Sequence, residues 1–499
     1  MASRRSRISF LLAATLCSAA LFYLGTGLRP VGWLTWLAPL PVLLLAPRVS
    51  GRVIAVAAFV AYLLGLANVA LYYTRDLTLP LPLVAGVFAC TSGVFCLVVL
   101  AFRGLLVRGR PLLAVVTTAS AWAGAEYLFA TLLPFGANWT LATTQADLLP
   151  VLQVASATGA WGVSFLVMGV PAAVAAVVAP ALPGRRRMRT GLAASVTVLL
   201  ALGYGAVRLH EPAGTPTVRV AAVAAALPGG DQPEAGTSAG RKLLDSDVAA
   251  MRVLPDRTRI VVFPEKDFVA DDTSLPGLTR RFAEAARATG TVAVVGVELR
   301  TQGKLSNVAL VVPPDGSAPV VYHKRYLAPG VEYEFEAGHE RSFVPGLTHR
   351  VAVAICADMG RPSLGRDNAR AGARMMAVPA LDFDVDAWSQ SRVQYLRGVE
   401  NGFSVVRASR QGVLTLTDDN GRVIREVRAD GPRPVTTVTA DLPVPEGTTL
   451  YTRWGDWFGL VCLILTALGI AALARPRATG SAVSRRPTAE GRSRTPAGA

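Results

Sequence analysis

Charge is what this chain has least of. Only 17% of its 499 residues are charged, while 52% are hydrophobic. That balance excludes an ordinary soluble domain and points to a membrane protein. Histidine is nearly absent too. The four present, His210, His323, His339 and His349, show no metal-ligand spacing, so no metal and no cofactor are expected. Cysteine is equally sparse, which excludes a disulfide framework. Cys17, Cys90, Cys96 and Cys462 fall in apolar runs, where small-residue packing accounts for them. Cys356 stands alone in a long polar stretch, and no internal repeat is present.

The formal net charge of +16 would suit a nucleic-acid partner, but its distribution does not. Between His210 and Arg453 there are 29 Lys+Arg and 29 Asp+Glu. A nucleic-acid binder concentrates basic charge on its folded domain. Here the excess lies in the apolar part and its loops, where it reads as a topology signal.

Apolar runs of about 20 residues, enough to cross the hydrocarbon core, occur near 8–27, 31–47, 52–73, 81–102, 112–133, 157–182, 190–208 and 457–474. The second is short and contains Pro39 and Pro41. The first could serve as a signal peptide, but no small-residue cleavage site leads into a soluble segment. Eight spans put both termini on one side. Arg4, Arg5, Arg7, Arg48, Arg52, Arg103, Arg108, Arg110 and the Arg185–Arg189 cluster fall there, with the arginines of the tail. The opposite short loops hold only Arg29 and Arg75. The basic side is therefore expected to be cytoplasmic. The expected organisation is a seven-span bundle over 1–208, an extracytoplasmic domain over 209–455, an eighth span over 456–474 and a disordered basic tail over 475–499. That tail can rest on anionic lipid.

The exported stretch is long enough for one buried core. Expected strands are Val218–Ala224, Ile260–Phe263, Val292–Val297, Val308–Val312, Val320–Tyr322, Val351–Ile355, Met375–Val378, Phe403–Arg407 and Val413–Thr417. Expected helices are Leu278–Thr289 and Asp386–Asn401, and Asp419-Asn420-Gly421 reads as a hairpin loop. The mixture predicts an α/β layered domain.

A lone thiol in an oxidising compartment is a liability unless it is buried or used. Cys356 directly follows an apolar run. Glu265, in Phe263-Pro264-Glu265, and Lys324, in Tyr322-His323-Lys324-Arg325, follow two others. Groups at the carboxyl ends of strands can converge in one crevice. A carboxylate could then take the thiol proton, the thiolate attack a carbonyl, and the ammonium stabilise the oxyanion. The alternative is three unrelated residues: a core cysteine, a loop carboxylate and a solvated lysine. His323 could instead pair with Cys356. Glu126 is an acid inside an expected span, either functional or hydrogen-bonded to a neighbouring helix. Trp388, Trp454 and Trp457 are candidate interfacial anchors.

At this point the chain resembles the apolipoprotein N-acyltransferase family, membrane proteins with a nitrilase-like domain. The resemblance rests on Phe263-Pro264-Glu265, on Tyr322-His323-Lys324-Arg325-Tyr326-Leu327-Ala328-Pro329, on Ile355-Cys356 and on Arg397-Gly398-Val399-Glu400. In the spans, Trp122 to Glu126, Trp139 and Gly162-Val163-Ser164-Phe165-Leu166 fit as well. It implies an α-helical membrane bundle with an exported α-β-β-α sandwich. It also implies Glu265 as general base, Lys324 as oxyanion stabiliser, Cys356 as nucleophile and Glu332 as a supporting acid. The implied reaction takes a fatty acyl chain from phospholipid as a Cys356 thioester. The acyl group then passes to the α-amine of a diacylated apolipoprotein. Departures are Ala357-Asp358 where the family has Tyr-Glu, Pro329-Gly330-Val331-Glu332 for Pro-Phe-Gly-Glu, and Leu381-Asp382 within the family's Asn-Asp-x-Trp region. The expected Gln of the first strand is also missing, from Val223-Ala224-Ala225-Ala226. Asp358 can supply the acid one methylene shorter. Two other functions remain open: a membrane-tethered nitrilase-type amidase with water as acceptor, and a non-enzymatic transporter or receptor.

Overall fold

The structure, a computed structural model, describes residues 4–180, 182–210, 216–227, 232–429 and 434–474. The expected tail, 475–499, lies outside the described residues, as do the side chains of Arg4, Arg5 and Arg7.

Six long apolar helices open the chain: α1 (Arg4–Gly25), α2 (Gly51–Gly65), α3 (Leu81–Leu106), α4 (Pro111–Leu132), α5 (Ala160–Val177) and α6 (Gly184–His210). A further helix, Trp457–Ala474, returns to them from the end of the described chain. Seven helices among the described residues are thus long and apolar enough to cross a membrane. Small residues let them approach closely. A Cβ on Gly469 would lie 2.1 Å from Thr117 Oγ1, and one on Gly459 would lie 2.7 Å from Tyr127 Cγ.

The expectation of eight single-helix spans needs correction at 31–47. That stretch is broken into Gly32–Thr35, Leu40–Leu45 and the 3₁₀ turn Ala46–Arg48. Pro39 and Pro41 each lack a backbone donor, and they stand at the cap and in the first turn of Leu40–Leu45, where a helix starts afresh. The pieces have contacts near both ends of the bundle. Gly32 O accepts from Gln145 Nε2 at 2.8 Å, beside the α/β domain. Val49 O accepts from Arg103 Nε at 2.9 Å, at the other end of α3. That other end gathers the basic loops. Arg186 donates to Gly109 O at 2.7 Å and Arg110 to Ala472 O at 2.8 Å.

The α/β domain holds thirteen strands among the described residues. They are β1 (Thr217–Ala225), β2 (Ile260–Val262), β3 (Phe268–Asp271), β4 (Val292–Thr301), β5 (Lys304–Val312), β6 (Val320–His323), β7 (Phe335–Glu336), β8 (Val351–Val353), β9 (Met375–Leu381), β10 (Ser404–Arg410), β11 (Val413–Thr417), β12 (Val423–Arg428) and β13 (Val435–Pro443). One sheet runs β13-β1-β2-β4-β5-β6, with β3 on β4 and β7 on β5; the other runs β12-β11-β10-β9-β8. The β1-β2-β4 and β8-β9-β10 pairings are parallel. Central strands such as β1 and β9 are apolar along nearly their whole length because both faces are covered. Val220, Val262 and Val294 of one sheet share a core with Val353, Ala377 and Val406 of the other. Helices α7 (Ser238–Arg252) and α8 (Leu275–Thr289) cover the outer face of the larger sheet through Leu244, Met251 and Phe282. Helix α9 (Pro362–Arg370) covers the smaller one through Leu364 and Ala369. Helix α10 (Ala387–Asn401) runs along the boundary with the bundle, where Tyr395 and Val399 pack on Val151 and Trp161.

Polar contacts lock that boundary. Glu400 Oε1 accepts from Ala160 N at 2.8 Å, capping α5. Trp161 Nε1 donates to Asp456 at 2.9 Å, and Arg361 donates to Leu133 O at 2.9 Å. Trp454 and Trp457 meet edge to face at 5.9 Å where the last helix begins. Trp388 lies under the Arg392 guanidinium, 5.0 Å from its ring.

Candidate active site

The structure brings Glu265 and Lys324 into direct contact, and the charges of both act on Cys356. After β2, Pro264 turns the chain off the sheet, and Glu265 N donates across to Ala380 O of β9 at 3.1 Å. Gly296 makes room for this turn. A Cβ there would sit 2.2 Å from Pro264 O and 2.6 Å from Glu265 Cα. After β6, Lys324 N donates to Asn307 O at 2.9 Å. Strand alternation buries Tyr322 and Lys324 and leaves His323 exposed. The pairing of His323 with Cys356 is therefore not what this strand builds.

The buried charges form a tight cluster. Lys324 Nζ lies 2.6 Å from Glu265 Oε1 and 2.7 Å from Glu332 Oε2. Asn307 Nδ2 donates to both carboxylates at 2.6 Å, and Ala328 N donates to Glu332 at 2.8 Å. Lys266 Nζ reaches the other Glu332 oxygen at 3.1 Å. Burial works against the Lys324 charge, but Glu265 and Glu332 outweigh it and hold the ammonium above its ordinary range. Burial alone would also raise Glu332. Lys324 and Lys266 reverse that and bring it to about 2.

Cys356 follows β8 on a 3₁₀ turn, Cys356–Gly360, with φ at +39°. A non-glycine residue there is strained by about 1–2 kcal/mol, so its neighbours must hold it. Asp358 does much of this. Its carboxylate accepts from Ile355 N at 2.9 Å, Tyr326 N at 2.8 Å, Arg325 N at 3.1 Å and the Tyr322 hydroxyl at 2.7 Å. It thus ties the turn carrying Cys356 to the segment carrying Lys324. Burial raises Asp358 to about 6, although the Ile355 amide and Tyr322 hydroxyl favour the ionised form. Gln394 Nε2 donates to Cys356 O at 3.4 Å and Cys356 Sγ faces Leu381 O at 3.7 Å. Burial first, then the Glu265 charge, pushes the thiol well above its ordinary range, while Lys324 opposes. A resting thiol beside a carboxylate and an ammonium is an arrangement suited to nucleophilic acyl transfer, with proton removal coupled to attack.

Sequence reasoning missed several members. Arg407 Nε donates to Gln394 Oε1 at 2.8 Å, Arg407 pairs with Asp382, and both charges are felt at Cys356. The available signal was polar residues inside apolar strands: Asn307 in β5 and Arg407 in β10. Lys266 adjoins Glu265 and gave no periodic signal.

Glu126 and Trp139 are not part of this cluster. Glu126 Oε1 accepts from Trp122 Nε1 at 2.8 Å and Leu141 N at 2.9 Å, a tie within the bundle. Trp139 packs on Tyr73 at 5.5 Å and Tyr72 at 5.8 Å. Both line a largely apolar cavity of about 440 Å³ between the helices, which reaches Ser389 of α10.

Fold and site together define a nitrilase-like catalytic domain mounted on a multi-span helical bundle. Comparison with known proteins narrows this. Residues 18–173 match the apolipoprotein N-acyltransferase N-terminal domain family, and residues 224–447 match the carbon-nitrogen hydrolase family. The chain is 25% identical to an apolipoprotein N-acyltransferase of Geobacter metallireducens, over 94% of this chain and 95% of the relative. It is 27% identical to one of Gloeobacter violaceus, again over 94% and 95%. Among solved structures, a CN-hydrolase superfamily protein from Xanthomonas campestris overlaps 45% of this chain and 91% of its own, at 22% identity and a TM-score of 0.38. The chain is an apolipoprotein N-acyltransferase-like protein, with an N-terminal membrane domain and a nitrilase-like domain after it.

Proposed function

We propose that this protein transfers a fatty acyl chain from a phospholipid to the α-amine of the diacylglyceryl cysteine of apolipoproteins, through a thioester on Cys356. The observation that carries the reading is the buried cluster in which Lys324 Nζ lies 2.6 Å from Glu265 Oε1, with Cys356 held at φ +39° on a turn where both charges act on its thiol. Glu265 takes the Cys356 proton as the thiolate attacks the phospholipid ester. Lys324 stabilises the tetrahedral oxyanion. The lysophospholipid alkoxide leaves with the proton from Glu265, and the acyl group stays on sulfur. The acceptor amine then attacks the thioester, Glu265 takes its proton, and the thiol is regenerated. Glu332 orients Lys324, and Asp358 holds the Cys356 turn. The apolar cavity beside Trp139 and Glu126 lies on the membrane side of this domain, where both lipid-anchored substrates would approach. Confining both to one surface turns a rare bulk encounter into a local one.

The same reading divides the chain into 1–208, 209–455, 456–474 and 475–499. It places the domain outside the cytoplasm in the cell membrane, with both termini inside. Clustering of the basic loops at the bundle end opposite the domain supports this orientation.

The test uses purified full-length protein in phospholipid vesicles with a diacylated lipopeptide. Mass spectrometry should find an acylated Cys356 without acceptor and a triacylated peptide with it. Cys356→Ala should abolish both while remaining in the membrane. Retained acylation in that variant sinks the proposal. Because residues 224–447 match the carbon-nitrogen hydrolase family, hydrolysis of an amide with water as acceptor is the second reading. Release of free acid from an amide substrate, with no acyl-Cys356 from phospholipid, would favour it.

A further inference from the structure

One charged residue of the centre has no part in the reaction sequence above. Lys266 is buried, 9% exposed, directly after Glu265. Its backbone is left-handed, with φ +47°, a conformation that a lysine keeps only where its surroundings impose it. The surroundings are specific. Arg410 Nη2 donates to Lys266 O at 3.1 Å, Arg410 Nη1 lies 3.5 Å from Asp267, and Asp267 N donates to Gly296 O at 2.9 Å. The result sends the side chain inward. Nζ lies 3.1 Å from Glu332 Oε1 and 5.0 Å above the Phe335 ring.

The charges explain why a second cation is useful there. Glu265 and Glu332 both lie on Lys324. Without Lys266, one ammonium would serve two buried carboxylates, and the cluster would carry an uncompensated negative charge beside the thiol. Such a charge opposes both thiolate formation and a developing oxyanion. With Lys266 on the far oxygen of Glu332, the four groups balance. Lys324 can then spend its attraction on Glu265 and on the reacting carbonyl.

We infer that Lys266 is a positioning residue of the acyl-transfer centre, neutralising Glu332 so that the Lys324 charge stays available to Cys356 and the oxyanion. The inference rests on the proposed function for its role in turnover. Its electrostatic content does not depend on that reading. The charges that act most strongly on Cys356 are those of Glu265, Lys324, Asp382 and Arg407. Lys266 acts on it through Glu332 and Lys324.

The test compares wild type, Lys266→Met and Lys266→Arg as full-length protein in phospholipid vesicles. The first readout is alkylation of Cys356 by iodoacetamide against pH, followed on the Cys356 peptide by mass spectrometry. This needs no acyl transfer. In K266M the midpoint should move to higher pH, and in K266R it should stay with wild type. The second readout is turnover, where kcat should fall about tenfold or more in K266M with KM within about twofold. An unchanged alkylation midpoint in K266M overturns the inference. Should K266M fail to accumulate, K266R decides alone, since an alkylation profile displaced from wild type would also overturn it. A wild type that alkylates as expected but moves no acyl group would instead sink the proposed reaction and leave the electrostatic role standing.

Discussion

The residues around Cys356 divide into those that hold charge and those that hold shape. Lys324 belongs to the first kind. It is 1% exposed and shared by two carboxylates. Removing its charge with Lys324→Met strands Glu265 and leaves Glu332 with Lys266 alone. The expected cost is about 3–5 kcal/mol of stability, read by thermal unfolding in detergent, with turnover lost even where the variant folds. Asp358 belongs to the second kind. Its four donors prefer a carboxylate, and its carboxyl titrates at about 6. Turnover should therefore rise with pH through about 6 as Asp358 ionises and the Cys356 turn tightens. Stability runs the other way across that window. Below pH 6 the folded state keeps a proton that the unfolded chain has released, so stability falls as pH rises towards 6. In Asp358→Asn the acid limb in kcat/KM should vanish at a lower plateau. A limb that persists near pH 6 would show that another group causes it. The aromatic residue expected beside the cysteine is Ala357 here. Asp358 reaches Tyr322 and three backbone amides without it.

Among the elements, the join between α10 and α5 matters most. Glu400 accepts the first amide of a helix that packs inside the bundle, and pairs with Arg397 at 3.1 Å. Glu400→Gln keeps the hydrogen bond and removes the partner of a fully buried guanidinium. We expect a loss of about 3 kcal/mol and earlier release of the α/β domain under limited proteolysis. Wild-type protease resistance would refute a coupling role. Gly136 makes a second join. With φ +62°, it brings the loop after α4 against the Cys356 turn, and a Cβ there would meet Gly360 O at 2.4 Å. Gly136→Ala should lower turnover more than it lowers the melting temperature, because the strain falls on the turn that aims the thiol. The element expectations succeeded where periodicity was strong. Val413–Thr417 is a strand with its expected bounds, and the Asp419-Asn420-Gly421 turn joins it to β12. The short strands β3 and β7 went unseen, and so did β12, β13 and the helices α7 and α9. In the last four, apolar residues are diluted by polar ones, and their identity depends on what they pack against.

At the scale of the whole molecule, seven long helices among the described residues carry the α/β domain at the end of the bundle opposite the basic loops. An accessible tag at Ala499 should be reached by protease or label only from the cytoplasmic side, and one inserted at Gly236 only from outside. The reverse pattern would overturn the orientation. The sequence by itself determined the membrane class, because apolar runs and basic loops answer to solvent and lipid residue by residue. It also singled out Cys356, Glu265 and Lys324, because each follows its own strand locally. It could not say that they meet, nor that Glu332 is shared between two lysines, nor that Asn307, Gln394 and Arg407 complete the centre. Those contacts join segments up to about a hundred residues apart, and only the packing of two sheets on each other brings their ends together. Tertiary structure also decided the charge states. Burial and neighbouring ions, absent from any linear pattern, hold Lys324 charged, Glu332 at about 2 and the Cys356 thiol protonated at rest.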